Sequence, residues 1–356
     1  MAAFVLGGTM AKGMVVVTGA SGFVGKYVLA DLITAGYRVR GTVRDLTKSD
    51  AVREAVSSIT GQSVRSELEL VQADLLDDAN WSELLSGADA VMHVATTVLA
   101  IEPKDPDLVV RPAVEGTERV LRFSAAAGVK RIIMTSSLAT IGYGLGHTSG
   151  KRVYTEADFT RLEALEHPWA YCIGKTRAER AAWSFAQAND LHLTTIHPGA
   201  ILGPASDPDT SVSLGLVVNL LSGATQAVIN TGFAIVDVRD VSAMHLAALE
   251  DPASVGERYI AADGYTRFEE VAAILRRHYP DCPITDRVLP DEVLLAMLRS
   301  GGSSSQIIND IGNEKHYDGA KGRALLGRPY ISPEEAVLSA ARSVIELCMV
   351  QPTQAA

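Results

Sequence analysis

MVVVTGASGFVG, residues 14–25, is the stretch that decides the fold of this chain. A run of apolar, mostly β-branched residues ends in a glycine-rich turn, and an amphipathic helical pattern follows that turn. Gly19 permits the tight turn, Gly22 lets the backbone approach a pyrophosphate, and Gly25 allows close packing of helix on strand. We therefore predict a dinucleotide-binding turn whose phosphates lie at the helix N-terminus. The other residues of this turn expected at the cofactor are Ser21, Phe23 and Val24.

Strand-like and helical patterns alternate from residue 14 to residue 204. This alternation is typical of an α/β fold, and we predict a Rossmann-type, doubly wound parallel sheet. Beyond residue 204 the pattern becomes mostly helical, which predicts a smaller C-terminal substrate lobe over the sheet edge where ligands bind. GGSSSQ at 301–306 is expected to be an ordinary surface loop or a lid within that lobe. The predicted units are a loose N-terminal extension at 1–13, a dinucleotide-binding domain at 14–204, and a mainly substrate-binding lobe at 205–356, of which some elements return to the main sheet.

The composition places limits on compartment and partners. The chain has 356 residues, of which 47% are hydrophobic, and a net charge of −10, with no Lys/Arg cluster. This balance argues against nucleic acid or an anionic membrane as partner, and no apolar run is long enough for a membrane span. Three distant cysteines and the lack of a secretory signal predict a cytoplasmic protein. Cysteine and histidine spacings match no ligand motif, so we predict no metal.

The end of the second predicted strand, YRVRGTV at 37–43, decides between two cofactors. An Asp or Glu there holds the adenosine ribose 2′-hydroxyl, whereas an Arg accommodates a 2′-phosphate. Arg44 follows the strand at once and Lys48 lies close behind, which favours NADPH. Asp45 stands where an NAD-type acid falls, so NADH is the alternative. An Asp that begins the turn DLTK also has a structural reason of its own.

Two further strand ends are predicted to lie at the cofactor. Asp74 and Leu75 follow the strand ELELVQ and are expected beside the adenine, although an acid is equally typical of a strand-end turn. Val94, Ala95 and Thr96 end the strand DAVMHVA, where small residues let a cofactor lie close to the backbone.

Tyr171 and Lys175 lie four residues apart in the helical segment AYCIGKTRAERAAWSFAQA, so their side chains project from one face. When a hydride reaches a carbonyl carbon, charge grows on the oxygen, and a positioned acid must supply a proton. Free tyrosine has a pKa of about 10, and a neighbouring ammonium stabilises its phenolate. We predict Tyr171 as the proton donor and Lys175 as the ammonium, which also reaches the nicotinamide ribose.

Ser137 closes the predicted strand KRIIMTSS, at the carboxyl edge of the sheet. A neutral hydroxyl there orients the substrate carbonyl and stabilises the developing oxyanion. Ser136 is the competing candidate for this role, and Thr135 of the same run is expected at the cofactor. A glycine-rich turn, a strand-end serine and a Tyr-x-x-x-Lys pair in this order predict carbonyl reduction, or alcohol oxidation in reverse.

TGASGFVG, VRDLTK, ADL, HVAT, TSS, YxxxK and HPGAILGP occur in this order over about 14–205. In these motifs the chain resembles the extended short-chain dehydrogenase/reductases, specifically the dihydroflavonol-4-reductase-like branch, which includes bacterial and yeast aldehyde and ketone reductases. The resemblance implies an NADP-dependent reductase of a small carbonyl compound, with Ser137, Tyr171 and Lys175 as catalytic residues. It implies contact of Arg44 with the 2′-phosphate. Residues implied near the nicotinamide are Pro198, Gly199 and Ile201.

Two departures from the branch bear on the substrate. Gly142 stands where plant flavonoid reductases place a substrate-reading Asn five residues after the Ser, which argues against a flavonoid. The motif YCIGK at 171–175 is similar to YCxGK of cinnamoyl-CoA reductases, but His-Pro-Trp-Ala precedes it where those enzymes have Asn-Trp, so a CoA thioester is the weaker alternative. The pocket is expected to be built from the loops at 97–103 and 139–168, the 204–230 segment and the C-terminal lobe.

Two other functions are compatible with the sequence. A nucleotide-sugar epimerase or dehydratase shares the glycine-rich turn and the triad, but it normally retains NAD, and Arg44 argues against NAD. A non-catalytic dinucleotide sensor would not need Ser137, Tyr171 and Lys175 together. The resemblance also suggests a homodimer formed through helices at 107–127 and 171–189.

Overall fold

The secondary structure is known from a computed structural model, which describes residues 12–99, 101–145, 150–208, 211–299 and 305–350. The strands are β1 Met14–Thr18, β2 Arg38–Val43, β3 Leu68–Gln72, β4 Ala90–His93, β5 Arg131–Thr135, β6 Gly150–Tyr154, β7 His192–Pro198, β8 Ala200–Leu202, β9 Val228–Ile229, β10 Gly232–Phe233, β11 Ile235–Asp237, β12 Arg258–Ala261, β13 Thr266–Arg267, β14 Val288–Leu289 and β15 Asn313–Tyr317. The helices are α1 Phe23–Thr34, α2 Ser49–Thr60, α3 Trp81–Leu84, α4 Asp107–Ala126, α5 Ala170–Ala188, α6 Val212–Leu221, α7 Val238–Glu250, α8 Phe268–His278, α9 Asp291–Arg299, α10 Ser305–Asp310, α11 Ala320–Leu326 and α12 Pro333–Glu346. Most of the 1–13 extension and of the 301–306 loop lies outside the described residues.

Seven strands form one parallel sheet in the order β12-β7-β5-β4-β1-β2-β3. β1 pairs with β2 on one side and with β4 on the other, so the strand order reverses direction at β1. In open α/β sheets, ligands bind at the carboxyl ends of the strands beside such a reversal. The predicted Rossmann-type sheet is confirmed, and the glycine-rich turn after β1 lies at this switch point.

Helices cover both faces of the sheet. On one face, α1 and α7 bury residues such as Leu29 and Met244 against the strands. On the other face, α3, α4 and α5 contribute Trp81, Leu121 and Ala182 to a second core. Because both faces are covered, the central strands are apolar at nearly every position. None of the helices in the described ranges is both long and apolar enough to cross a bilayer.

The second half of the chain builds a lobe of helices and two-stranded pairs. Its core joins apolar residues of α6, α8 and α12. Among the described residues, three strand pairings cross the division at residue 204: β12 with β7, β11 with β8, and β15 with β6. Sequence patterns miss the pairing of β15 with β6 because partners about 160 residues apart leave no local signal.

Candidate active site

The glycine-rich turn has the geometry that a bound pyrophosphate requires. Gly19 adopts a φ of 77°, and the amide of Gly22 donates to the Gly19 carbonyl at 3.0 Å. A Cβ on Gly25 would collide with the same carbonyl oxygen. Gly22 begins α1 without a side-chain cap, and the first turn of α1 contains no acidic residue. The N–H groups of this helix end are therefore available to an anion.

The end of β2 presents an arginine without a partner. The Arg44 side chain is exposed and forms no hydrogen bond or ion pair with any residue in the described ranges. Asp45 instead accepts from the amide of Thr47 at 2.9 Å, and this bonding to Thr47 lowers the pKa of Asp45. Lys48 ends the same short turn. Asp45 is thus engaged in local structure, whereas the guanidinium of Arg44 is available.

The third and fourth strand ends differ in what they offer to a cofactor. Asp74 is exposed and accepts from the amide of Leu76 at 2.8 Å, as a strand-end turn acid does. Leu75 packs against Gly116 of α4. The amides of Val94 and Ala95 both bond the Thr18 hydroxyl, at 3.1 and 3.0 Å.

Ala95 also lies close to Gly19, because a Cβ added to Gly19 would be 2.9 Å from the Ala95 Cα. Thr96 follows at the same sheet edge and is half-buried. The ends of β1 and β4 are therefore held together beside the turn.

Ser137, Tyr171 and Lys175 come together at the carboxyl end of β5. Tyr171 and Ser137 both line one cavity, and the Ser137 hydroxyl accepts from the amide of Ala139 at 3.1 Å. Lys175 is buried one helical turn further along α5, and its ammonium donates to the Thr135 carbonyl at 2.7 Å. The Thr135 hydroxyl is bonded to His245 at 2.7 Å, so it faces the protein interior.

Burial shifts the pKa values of Tyr171 and Lys175 in opposite directions. Burial raises the pKa of Tyr171, and the hydrogen bond with Ser137 offsets this only in part. Burial lowers the pKa of Lys175 to about 8, although Glu179 acts to raise it. The ammonium of Lys175 is held by the Thr135 carbonyl, and stabilisation of the phenolate by Lys175 stays a prediction. At neutral pH Tyr171 is a protonated acid, and Lys175 is largely cationic.

Ser136, the competing candidate, faces away from the cavity. Its hydroxyl bonds Glu179 at 2.8 Å, inside a buried group of polar side chains that we call the sheet-edge cluster: Ser136, Glu179, His197 and Arg258. Arg258 of β12 donates to the same carboxylate at 2.8 Å. Sequence analysis missed this cluster, although Glu179 continues the four-residue spacing of Tyr171 and Lys175 along α5.

The sheet-edge cluster holds one ionised pair. Burial opposes the charge of Glu179, but contacts with His197 and Arg258 and hydrogen bonds from Thr140 and Ser136 lower its pKa to about 2. Burial lowers the pKa of His197 to about 4, so its imidazole is neutral at pH 7. Arg258 is therefore the counter-charge of Glu179. The cluster touches no reacting group and serves to position the end of β5 and the helix α5.

A cavity of about 330 Å³ opens over Ser137 and Tyr171. Its walls come from the loop at 98–102, the turn at 137–143, the 198–202 segment, α6 and the strands of the lobe. The loop at 98–102, α6 and the lobe were expected from the sequence as pocket regions, whereas the 198–202 segment was expected only near the nicotinamide. Much of the lining is apolar, with Leu216, Phe233 and Phe268 among its residues.

The 198–202 segment forms the floor between sheet and lobe. Pro198 and Gly199 line the cavity, and a Cβ on Gly199 would collide with the Ala234 carbonyl. Ile201 pairs with Val236 and packs in the lobe core, so it is not among the cavity residues. Of the three residues implied near the nicotinamide, two therefore face the cavity.

The lobe adds charged and polar groups that sequence analysis did not single out. Asp310 and Lys315 form an ion pair, and the Tyr143 hydroxyl donates to Asp310 at 3.1 Å. We call these three residues the cavity cluster, because all of them line the cavity. Only the three-dimensional pairing of β15 with β6 brings them there, and their sequence spacing carries no motif.

The observed residues fit a bound dinucleotide. The turn leaves no room for a Cβ at Gly25, the N-terminus of α1 is uncapped, and Arg44 is unpartnered among the described residues. Across those residues, no group of three His, Cys, Asp or Glu side chains is arranged to hold a metal.

Comparisons with known proteins agree with this geometry. The model of the NAD-dependent epimerase/dehydratase family matches residues 15–262. Cinnamoyl-CoA reductase 2 of Medicago truncatula is 35% identical over 272 residues, which cover 76% of this chain and 78% of the relative. A bifunctional dihydroflavonol 4-reductase/flavanone 4-reductase of Malus domestica is 33% identical and covers 75% and 76% of the two chains.

Solved structures share the whole architecture. The yeast methylglyoxal/isovaleraldehyde reductase Gre2, complexed with NADPH, superposes with a TM-score of 0.76 at 22% identity, over 94% of this chain and 98% of its own. At that identity the likeness establishes the fold. The family model and the curated relatives establish more, since they span over two thirds of the sequence. This chain belongs to the NAD-dependent epimerase/dehydratase family of extended short-chain dehydrogenase/reductases, in the branch of the cinnamoyl-CoA and dihydroflavonol reductases.

Proposed function

We propose that this protein is an NADP-dependent oxidoreductase that reduces an aldehyde or ketone to the alcohol, reversibly, with Tyr171 as the proton donor. The observation that carries the proposal is that Ser137 and Tyr171 line one cavity, with the ammonium of Lys175 held at the end of β5 by the Thr135 carbonyl. The reductase names of the relatives and the NADPH in the yeast complex support it.

The cofactor is expected to lie along the carboxyl edge of the sheet. The turn from Gly19 to Gly25 would hold its pyrophosphate, and Arg44 with Lys48 would hold the 2′-phosphate. The sheet edge at Val94 to Thr96 and the floor at Pro198 and Gly199 would flank the rest. When bound, reduced nicotinamide supplies the hydride for the carbonyl carbon.

Tyr171 is suited to act as an acid because its phenol is fully protonated at neutral pH. In reduction it gives its proton to the carbonyl oxygen as that oxygen becomes the alcohol. Ser137, which lines the same cavity as the phenol, orients the carbonyl and donates to the developing oxyanion. Lys175 places a positive charge beneath the phenol, which favours the phenolate left after proton transfer. Solvent then returns a proton to Tyr171.

The test is the absorbance of the nicotinamide during incubation with aldehydes, ketones, diketones and one acyl-CoA thioester. We expect oxidation of NADPH by carbonyl compounds, and a fall in kcat of about 100- to 10,000-fold in Tyr171→Phe. Tyr37→Phe is the matched control, since its phenol bonds Glu250 on the surface at 3.3 Å. Unchanged turnover in Tyr171→Phe would refute the mechanism. Cofactor binding without oxidation by any compound would favour the sugar-nucleotide or sensor functions.

The choice of cofactor has its own test in Arg44→Ala. Loss of a charged hydrogen bond to the 2′-phosphate should raise the KM for NADPH about tenfold to a hundredfold. The KM for NADH should stay the same, because NADH lacks that phosphate. Arg53→Ala on α2 is the control, since Arg53 pairs with Asp50 at the surface. A variant that loses both cofactors equally would assign Arg44 a structural role.

A further inference from the structure

The strand β15 gives the substrate cavity a polar side. Alternate residues of a strand face the same way, and Asn313, Lys315 and Tyr317 all line the cavity. Backbone pairing holds the strand on both sides, through β6 and through Gly264. A rigid polar strand thus lies within a largely apolar pocket, where a few placed polar groups fix ligand orientation.

The charges on this side already compensate each other. Lys315 is paired with Asp310, and both side chains are buried. The Tyr143 hydroxyl donates to Asp310, and its ring lies 4.5 Å from the Lys315 ammonium. An incoming carboxylate would lose its hydration and find a lysine whose charge is balanced. This end of the cavity therefore suits a neutral polar group.

Tyr317 presents a hydroxyl without a partner in the described part of the chain, whereas Lys315 of the same strand is paired with Asp310. It forms no hydrogen bond with any other residue in the described ranges, although the side chain is only 5% exposed. Its ring is stacked on Tyr154 at 5.5 Å, which fixes its position. Burial raises the pKa of Tyr317, so the group is a neutral hydroxyl. A buried hydroxyl without a partner gains free energy when a ligand oxygen supplies one.

The lack of a side chain at Gly142 leaves room for the phenol of Tyr317 at the cavity wall. The Tyr317 oxygen lies so close to Gly142 that a Cβ at this position would collide with it. Gly142 comes five residues after Ser137, in the turn that carries the strand-end serine over the cavity. The Tyr317 hydroxyl therefore lies against the same turn as Ser137, and one ligand can reach both.

We propose that Tyr317 is a specificity-determining residue, which hydrogen-bonds a second, neutral oxygen of the substrate. This proposal rests on the proposed function. The substrate class is an aldehyde or ketone that carries a hydroxyl or a further carbonyl away from the reacting carbon. The apolar lining holds the carbon skeleton between the two polar ends.

The test is calorimetric binding to the enzyme saturated with NADP⁺, using matched ligands that differ by one oxygen. The pairs are para-hydroxybenzaldehyde with benzaldehyde, para-hydroxycinnamaldehyde with cinnamaldehyde, and acetylacetone with methyl propyl ketone. In Tyr317→Phe we expect the oxygen-bearing member of at least one pair to bind about tenfold more weakly, and its unsubstituted partner to change far less. Tyr154→Phe is the control, since Tyr154 supports the same ring and is not among the cavity residues.

Two results would overturn the proposal. Equal weakening of both members of every pair would assign Tyr317 a packing role, and no weakening would show that its hydroxyl is unused. A para-carboxybenzaldehyde that binds more tightly than para-hydroxybenzaldehyde would contradict the neutrality of the site. Because binding is measured without turnover, an enzyme that oxidises no NADPH would refute the proposed function and leave this comparison valid.

Discussion

The sheet-edge cluster and the cavity cluster are both built on a buried ion pair, yet they face different surroundings. Glu179 and Arg258 lie behind the cavity, and the carboxylate bonds Ser136, Trp183 and the guanidinium. Asp310 and Lys315 line the cavity itself. The first pair is buried and lines no part of this cavity, whereas the second faces whatever the cavity contains.

The difference separates two uses of buried charge. The Glu179–Arg258 pair, away from the cavity, fixes the geometry of the end of β5 and of α5. The Asp310–Lys315 pair lies in the cavity wall and also affects which ligands bind, because two charges that already neutralise each other do not offset the cost of burying a charged ligand group. Removing one partner should therefore be costly in the first cluster and partly relieved in the second.

The largest expected effect is on the sheet-edge cluster. Glu179→Ala leaves Arg258 buried without a counter-charge, which should lower the free energy of unfolding by about 3–5 kcal/mol. Urea denaturation measures this, with Asp78→Ala as the control. Asp78 pairs with Arg119 at the surface at 2.6 Å, so its loss should have little effect. Equal stability of Glu179→Ala and the unaltered protein would show that the pair is not needed for folding.

A smaller effect is expected at the cavity cluster. In Lys315→Met, Asp310 keeps the hydrogen bond from Tyr143 and can take up a proton, so the loss should be about 1–3 kcal/mol. Adding Asp310→Leu should restore part of this loss, because apolar pairs often replace buried ion pairs without cost. Urea denaturation of both variants measures these changes in the free energy of unfolding. A loss as large as that of Glu179→Ala would remove the distinction between the clusters.

The smallest effect is a shift in pH dependence. Lys175 has a pKa of about 8, and Glu179 is the group that raises it. We expect kcat for reduction to fall above about pH 8 as the ammonium is lost, and Glu179→Gln to move this fall to lower pH. Lys315→Met should leave it in place, since the cavity cluster does not act on the Lys175 pKa. If the fall in kcat moved to lower pH equally in Glu179→Gln and Lys315→Met, the two clusters would not have separate roles.

The free energy of unfolding should also depend on the ionisation of Lys175. The pKa of Lys175 in the folded protein lies below its ordinary value of 10.5. Between about pH 8 and 10.5 the unfolded chain therefore binds more protons, and the contribution of Lys175 to stability rises with pH. Lys175→Met should remove this rise in denaturation curves measured across the window.

Local signals carried most of the sequence interpretation. The glycines at 19, 22 and 25 and the apolar strand before them identify the turn and the sheet, because each residue acts within a few positions. The spacing of Tyr171 and Lys175 likewise follows from one helix. Lys315, Tyr317 and Arg258 could not be recognised, since their roles depend on β15 meeting β6 and on β12 joining β7. The burial that raises the pKa of Tyr171 could not be predicted either, because burial is a property of packing.

Arg258 has a consequence for how the enzyme is made on the ribosome. It binds Glu179, and it also donates to the carbonyls of Glu156 and Asp158, from a strand that is synthesised about 70 residues after α5. A nascent chain that has reached residue 204 carries all three residues proposed as catalytic but leaves the carboxylate of Glu179 without Arg258. We therefore expect the end of β5 and the helix α5 to reach their final arrangement only after β12 is translated, and an N-terminal fragment with all three residues to be inactive.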